Sequence, residues 1–512
     1  MTTNEQDDRL AECLLDESES FLNNNNNSSN GNEWPSVYDE VKDMLSSAIL
    51  MYGVVDLRTL ARSQTRSDRF DQDRSMEKLL SLPVSARDIA SLLSKHEGAI
   101  EDEIGRKSTD LYLDAFDAIE EQSSTARNQS QESEQELKLT ASGKISLVPV
   151  SFDVVVVDDE KQESELVYAI CLDTARKRIT VLFRGCSTTM DWTICANNYL
   201  NERDNPLYQQ PQLDRDTNNT AQEQPEKIAI HQGYCTYLFR INPTTNASKF
   251  DSIVRHVRSL LQQHEGYRVY VTGHSLGAAM ATVFAFQAAA TQKLGLITCI
   301  HFASPMVGNL AFETAFRTLE AQGRIRCLRV SNHFDIFTQL PDRGNWLYVF
   351  ACCWGFHLIA YLGWTMMFFL CFQENVYRHV GMDLHMYRSR SPAYRRLLFF
   401  CRQQNESVTY KIKHSRGTPH NFVWRVTRDW RMHFKQTFQR LLAVPFENFK
   451  TNHSLKEHLT RLTQLSVPLK KMHLKELYDT YHRHRSPSSD SNSGGDANAS
   501  PFQSGDDYQV IV

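Results

Sequence analysis

Gly273-His-Ser-Leu-Gly277 sets a serine between two glycines, and it stands between a β-branched run, Val269-Tyr-Val-Thr272, and an alanine-rich run, Ala278-Ala-Met-Ala-Thr-Val-Phe-Ala-Phe286. A strand that reverses sharply into a helix leaves no room for side chains beside the turn, so glycines flank it and the middle residue is lifted into an exposed, strained position. Ser275 is the residue so presented. The helix that starts after it aims free backbone N–H groups and the positive end of its dipole at the same point, which suits a developing oxyanion. The N–H of Leu276 is one such donor. A structural tight turn is the competing reading, and the strand on one side with a small-residue helix on the other favours a nucleophile.

A serine hydroxyl is weakly nucleophilic near neutral pH and needs a base within hydrogen-bond reach, with a carboxylate to fix that base's tautomer. In an α/β-hydrolase the chain order is Ser, then Asp or Glu, then His, so both partners are sought downstream. Val330-Ser-Asn-His-Phe-Asp-Ile-Phe-Thr-Gln-Leu-Pro341 follows a strand and offers Asp335 as the acid; Asp342, next to Pro341, reads better as a turn former. For the base, Asn452-His-Ser-Leu-Lys-Glu-His-Leu offers His453 at the mouth of a helix and His458 inside it. The loop position reaches the serine more readily, which selects His453. His274 and His231 are read as supporting or structural, and His379 as a sheet residue in Tyr377-Arg-His-Val-Gly381.

The elements that must position these groups are those of an α/β protein with a mostly parallel sheet flanked by helices. Strands are expected at Phe152–Val157, Leu166–Leu172, Arg178–Phe183, Val269–Thr272, Ile297–Phe302 and Cys327–Val330, and helices at Phe250–Gln263 and Leu310–Gln322. Asp173-Thr-Ala-Arg-Lys reads as the turn of a hairpin. Upstream, residues 1–35 are acidic and asparagine-rich and read as disordered. Residues 36–121 form a helical N-terminal region in which Val41, Met44, Leu45, Ala48 and Ile49 mark one or two amphipathic helices, with a break at Pro83. Residues 122–140 are a polar linker, 141–480 the hydrolase domain, and 481–512 a disordered tail.

The chain's 512 residues suffice for a large core, and its net charge of −5 and pI near 6.4 give no electrostatic reason to bind nucleic acid. The 11 cysteines are scattered without C-x-x-C spacing, which fits a reducing compartment, and no metal-ligand cluster is visible. Cys195 and Cys235 could respond to redox conditions, although a buried inert thiol is the default. The acidic N-terminus is followed by no apolar run of the kind a secretory signal needs, so an intracellular protein is expected.

Taken in order, Phe183-Arg-Gly185 with Asp191-Trp192, His231-Gln-Gly-Tyr234, Gly273-His-Ser-Leu-Gly-Ala-Ala279, Phe302-Ala-Ser-Pro-Met-Val-Gly-Asn309, Asn332–Pro341, Tyr377–Gly381 and Asn452-His453 resemble the landmarks of the class 3 lipases, the fungal lipase-like domain. The resemblance covers about 165–465. It implies an α/β-hydrolase of the triacylglycerol lipase type with Ser275, Asp335 and His453 as its triad, and acyl transfer through such a triad needs no cofactor or metal. It also implies that the residue after Arg-Gly donates the second oxyanion N–H. That residue is usually Ser or Thr; here it is Cys186, which keeps the backbone donor and replaces the hydroxyl by a weaker one. The resemblance further places a lid at 188–229, where the chain is long and polar past Asn205, so that a lid and a plain insertion both remain open.

Residues 346–372, from Trp346 to Phe372, carry no charge and exceed the roughly 18 apolar residues that suggest a membrane-spanning helix. A single crossing would put Asp335 and His453 on opposite sides of a bilayer. The segment is therefore expected to lie in the membrane plane or to re-enter on the same side, anchoring the enzyme on a membrane or lipid-droplet surface; a buried helix in an enlarged core is the alternative. The expected function is hydrolysis of acyl esters of glycerolipids, tri- or diacylglycerol, through an acyl-enzyme. A phospholipase A1 or galactolipase would use the same residues, and a silent lipid-binding protein would keep the elbow as architecture alone.

Overall fold

A computed structural model describes residues 35–64, 74–98, parts of 101–119, 152–197, 199–208, 226–292, 294–333, 335, 337–341, 377–388, 408–414 and 447–483. The expected disordered ends, the 122–140 linker, Asp342, the apolar segment 346–372 and most of the insert past Asn205 lie outside the described residues.

In chain order the elements are α1 (Val37–Gln64), a 3-10 turn (Arg74–Leu80), β1 (Val84–Ser85), α2 (Ala86–Lys95), β2 (Phe152–Asp158), β3 (Tyr168–Asp173), β4 (Arg178–Phe183), α3 (Thr189–Ala196), β5 (Leu200–Asp204) and β6 (Lys227–His231). Then come α4 (Gln232–Phe239), α5 (Lys249–Gln263), β7 (Arg268–Gly273), α6 (Leu276–Thr291), β8 (Ile297–Phe302), α7 (Leu310–Ala321) and β9 (Ile325–Asn332). The last are β10 (Met382–Arg388), β11 (Val408–His414), α8 (Glu447–His453), α9 (Leu455–Gln464), α10 (Ser466–Leu469) and α11 (Leu474–Arg483).

Nine strands form one sheet in the order β1-β2-β3-β4-β7-β8-β9-β10-β11. The five from β4 to β10 are parallel, and antiparallel strands complete both edges. Helices cover both faces, which is why β3, β4 and β8 are buried along their whole length. On one face α6 carries 14 buried residues, and its alanines let it lie close against β7 and β8. Capping boxes start α5 (Ser248 with Asp251) and α3 (Thr188 with Asp191).

The other face corrects the reading of the N-terminal region. Residues 37–64 form one helix that is buried on nearly all sides, not an amphipathic one: Leu45, Ile49, Leu50, Met51 and Val54 are inaccessible, and α1 lies between the sheet and α9 and α10. It is long and apolar enough to cross a membrane by composition, yet it fills the core. Its polar residues are satisfied inside. Asp43 accepts from Arg178 at 2.7 Å, the Tyr270 hydroxyl donates to Glu40 at 2.7 Å, and Arg58 pairs with Asp159 at 2.9 Å.

Val84–Ser85, inside the break expected at Pro83-Val-Ser-Ala, adds a short edge strand to β2. One boundary differs from expectation. The strand expected at Tyr377–Gly381 begins only at Met382; residues before it run extended with a single bridge from Arg378 to Gly308. Gly381 causes the shift. It sits at φ 75°, and a Cβ there would lie 2.7 Å from the Cys327 sulfur and carbonyl oxygen, so the chain turns at this point before it can join β9.

Candidate active site

The turn from β7 into α6 is as tight as its glycines imply. A Cβ at Gly277 would stand 2.2 Å from the Phe183 carbonyl oxygen, and one at Gly273 would meet Gly277 at 2.5 Å. Ser275 is held at φ 58°, ψ −122°, a conformation L-residues rarely adopt. It occupies the N-cap position of α6 but its side chain caps nothing. The hydroxyl that would ordinarily turn back onto the helix is thereby left for chemistry.

Ser275 Oγ lies 2.9 Å from His453 Nε2, and His453 Nδ1 lies 2.9 and 3.0 Å from the two carboxylate oxygens of Asp335. The Asp335 carboxylate is inaccessible to solvent and also accepts from the Phe337 N–H at 3.0 Å, while the imidazole keeps 15 % exposure toward the cleft. The expected loop position of His453 is corrected in detail: it is the last residue of α8, one before Ser454, which caps α9. His458, one turn further on, is fully buried, takes the Ser454 carbonyl as the acceptor for Nδ1 at 2.9 Å, and is pushed down to about 4 by burial. It supports the fold of the junction and does not reach the serine.

His274, read from the sequence as supporting, holds the base in place together with residues that the motifs do not reveal, Arg461 and Tyr52. Arg461 donates from Nε to Glu457 at 2.7 Å, from one terminal nitrogen to the Met386 carbonyl at 3.1 Å and from the other to Asn452. Asn332, at the end of β9, donates to the Asn452 carbonyl at 2.8 Å. His274 Nε2 is 2.7 Å from the His453 carbonyl, and its Nδ1 is 3.1 Å from the Tyr52 hydroxyl of α1. Since the carbonyl can only accept, Nε2 carries the proton and Tyr52 donates to Nδ1. Burial, with His453 and His458 adding to it, holds His274 well below its usual range, so it stays neutral beside the base.

A cleft opens beside Ser275, with Cys186, Leu276, Trp192, Tyr234 and Phe337 among its walls. Leu276 and Cys186, the two expected oxyanion donors, both line this cleft together with Ser275. The Cys186 loop is fixed by Asp191, which accepts from the Ser187 and Thr188 N–H groups at 2.9 and 3.0 Å and from the Tyr237 hydroxyl at 2.9 Å. His231 is inaccessible, stacks on Tyr234 and accepts from the Gly233 N–H, in line with a structural role. His379 lies in the extended lead-in to β10 and not within the strand.

Among the described residues one group has metal-ligand types. Cys299, His301 and Cys327 bring their ligand atoms within 4.8 Å of one another inside the sheet. The sequence hides it because Cys299 and Cys327 are remote in the chain and face each other only across the β8–β9 register. His301 Nε2 is already bonded to the Thr282 hydroxyl at 3.0 Å.

A mostly parallel sheet, an elbow serine after a central strand and an acid and base supplied from beyond later strands define an α/β-hydrolase. Residues 180–344 match the model of the lipase (class 3) family. Phospholipase A1-IIgamma of Arabidopsis thaliana is 35% identical over 136 residues, which cover 24% of this chain and 32% of the relative. Phospholipase A(1) DAD1, chloroplastic, of the same plant is 30% identical over 193 residues, 37% of each. The chain thus spans about a third of the length of these curated relatives. The Rhizomucor miehei lipase propeptide complex superposes with a TM-score of 0.30 at 17% identity, over 46% of this chain and 57% of that one.

Proposed function

We propose that the protein hydrolyses carboxylic ester bonds of glycerolipids through a serine acyl-enzyme. The observation that carries this reading is the continuous chain of hydrogen bonds from Ser275 through His453 to Asp335. His453 Nε2 takes the hydroxyl proton as Oγ attacks the ester carbonyl, and the buried carboxylate stabilises the imidazolium that results. The N–H groups of Leu276 and Cys186 hold the oxyanion. The imidazolium then protonates the leaving alkoxide, leaving the fatty acyl group on Ser275. Water activated by the same nitrogen attacks the acyl-enzyme, releasing the acid and restoring the serine.

The surface around the cleft supports a lipid substrate. Met190 and Trp192 on α3 and Tyr199 just after it are exposed large apolar side chains, and Trp192 leans toward Phe337 beside the cleft. Such side chains suit an interface between water and acyl chains. We place this rim against a membrane or lipid-droplet surface inside the cell, with 346–372 as a second apolar contact.

Neutral and polar glycerolipids are both compatible with the triad. The neutral reading follows from the family as a whole. The polar one is favoured by the relatives named above, both of which carry the name phospholipase A1. A fluorophosphonate probe tests the common chemistry: labelling confined to Ser275 supports it, and a reduced, folded protein that fails to label overturns it. Parallel assays on triacylglycerol emulsions, diacylglycerol and phosphatidylcholine vesicles separate the two substrate classes, with release of the sn-1 acid from phosphatidylcholine marking the phospholipase.

A further inference from the structure

The sulfur atoms of Cys186 and Cys195 are 3.4 Å apart. One belongs to the loop that would supply an oxyanion donor, the other to the last turn of α3, the helix at the mouth of the cleft. Both are half-buried, whereas the other described cysteines, Cys171, Cys235, Cys299 and Cys327, are buried. Cys299 and Cys327 also face each other, but deep inside the sheet, out of reach of a soluble oxidant.

We propose that Cys186 and Cys195 are a reversible redox pair whose disulfide ties α3 to the oxyanion loop and shuts down ester turnover. The effect on turnover rests on the hydrolase reading above; formation of the bond does not. With a hydroperoxide as oxidant, the Cys195 thiolate attacks one peroxide oxygen, the O–O bond breaks, and a sulfenic acid and one water form after proton uptake. The Cys186 sulfur then attacks the Cys195 sulfur. The S–S bond forms as the S–O bond breaks, and the departing hydroxide takes the Cys186 proton as a second water. Two thiols are oxidised by two electrons and one peroxide is reduced to two waters. Contact with Cys195, then burial, holds the Cys186 thiol protonated, so Cys186 does not supply the thiolate of the first step, and in the second its proton leaves as the S–S bond forms.

The mechanical consequence follows from the distances. A disulfide needs its sulfurs at about 2.05 Å, so they must close by roughly 1.4 Å. The N-terminal end of α3 is already anchored through Thr188 and Asp191 to Arg184 and Tyr237. Oxidation would pin the other end as well, so the helix could no longer swing from the cleft, and Cys186 would be drawn toward α3 and away from Ser275.

Trypsin cuts after Arg184 and Arg203, and the peptide between contains both cysteines and no other. The full chain is treated with hydrogen peroxide, quenched, alkylated and mapped by mass spectrometry, alongside hydrolysis and fluorophosphonate labelling before and after dithiothreitol. The proposal expects this peptide to lose two hydrogens and resist alkylation while the peptides of Cys299 and Cys327 stay reduced. It also expects hydrolysis to fall by about tenfold or more and to recover on reduction, a scale typical of a displaced oxyanion donor. Within C195S, and within C195A should the serine disturb folding, the ratio of oxidised to reduced rate should stay near one. Thiols that remain alkylatable overturn the proposal. So does a disulfide with unchanged turnover, or an equal loss in the Cys195 variants. A reduced protein that neither labels nor hydrolyses overturns the hydrolase reading, and the gating with it, even where the bond forms.

Discussion

The nucleophile and the base of this site are held in opposite ways. Ser275 sits in a turn built from adjacent residues, and its geometry follows from two glycines that nothing larger can replace. His453 sits where two short helices meet, and its position follows from Arg461 on the next helix and from side chains far away in the chain: Asp335, Asn332, His274 and, through His274, Tyr52. A local device needs only its neighbours and the strand it continues. A distributed one needs the whole sheet to be assembled, because its parts arrive from β9, β10, α1 and α9. The first should fail abruptly when a single atom is added, the second by degrees as supports are removed.

Ser275→Ala breaks the local half most completely. Hydrolysis should drop by about 10⁴-fold or more and labelling should vanish, while the melting temperature stays close to that of the parent. Gly277→Val tests the cause of the elbow, since its side chain would have to occupy the Phe183 carbonyl; the expected result is loss of soluble folded protein, read by yield and circular dichroism. In the distributed half, His453→Ala should cost about 10³-fold or more in kcat, whereas His458→Ala should keep most of the turnover and lose about 2 kcal/mol of stability in denaturant unfolding. A His458 variant as inactive as the His453 variant would reverse the assignment of the base.

Smaller effects sharpen the contrast. Arg461→Met removes the ties from α9 to Asn452 and to Met386, and kcat should fall by about tenfold with KM little changed, since the base is misplaced and the cleft is not. Acid should also erode the fold gradually. His458 is held down to about 4, and His231 and His301 to about 3, in each case first by burial. Their folded values lie below the ordinary 6.5, so the unfolded chain binds more protons under that pH. Stability is therefore whole above about 6.5 and declines as pH falls toward 4, by on the order of 1 kcal/mol per pH unit per group. Thermal melts at pH 7, 6 and 5 measure the slope, and a flat profile would show these imidazoles to be free to charge in the native state.

Legibility in the sequence follows the same division. The elbow, the parallel strands and their helices were readable because each is written in contiguous residues: glycines about a serine, β-branched runs, apolar residues at helical spacing. Asp335 and His453 were readable as candidates, from chain order and from the resemblance to class 3 lipases. The late start of β10 was not, because the cause is a close approach of Gly381 to Cys327 on another strand. Nor were the burial of α1, the parts that Arg461 and Tyr52 play in holding His453, or the contact of Cys186 with Cys195.

Composition and pattern by themselves determined the class of fold, the serine that the chain presents and the strand that presents it. These depend on backbone sterics and on hydrophobic periodicity, which act between neighbours. Tertiary structure alone decided which imidazole meets the serine, what steadies it, and that an apolar helix long enough to span a bilayer fills a core instead. Those outcomes turn on distances of about 3 Å between residues far apart in the chain, the range of a hydrogen bond, and no local pattern encodes them.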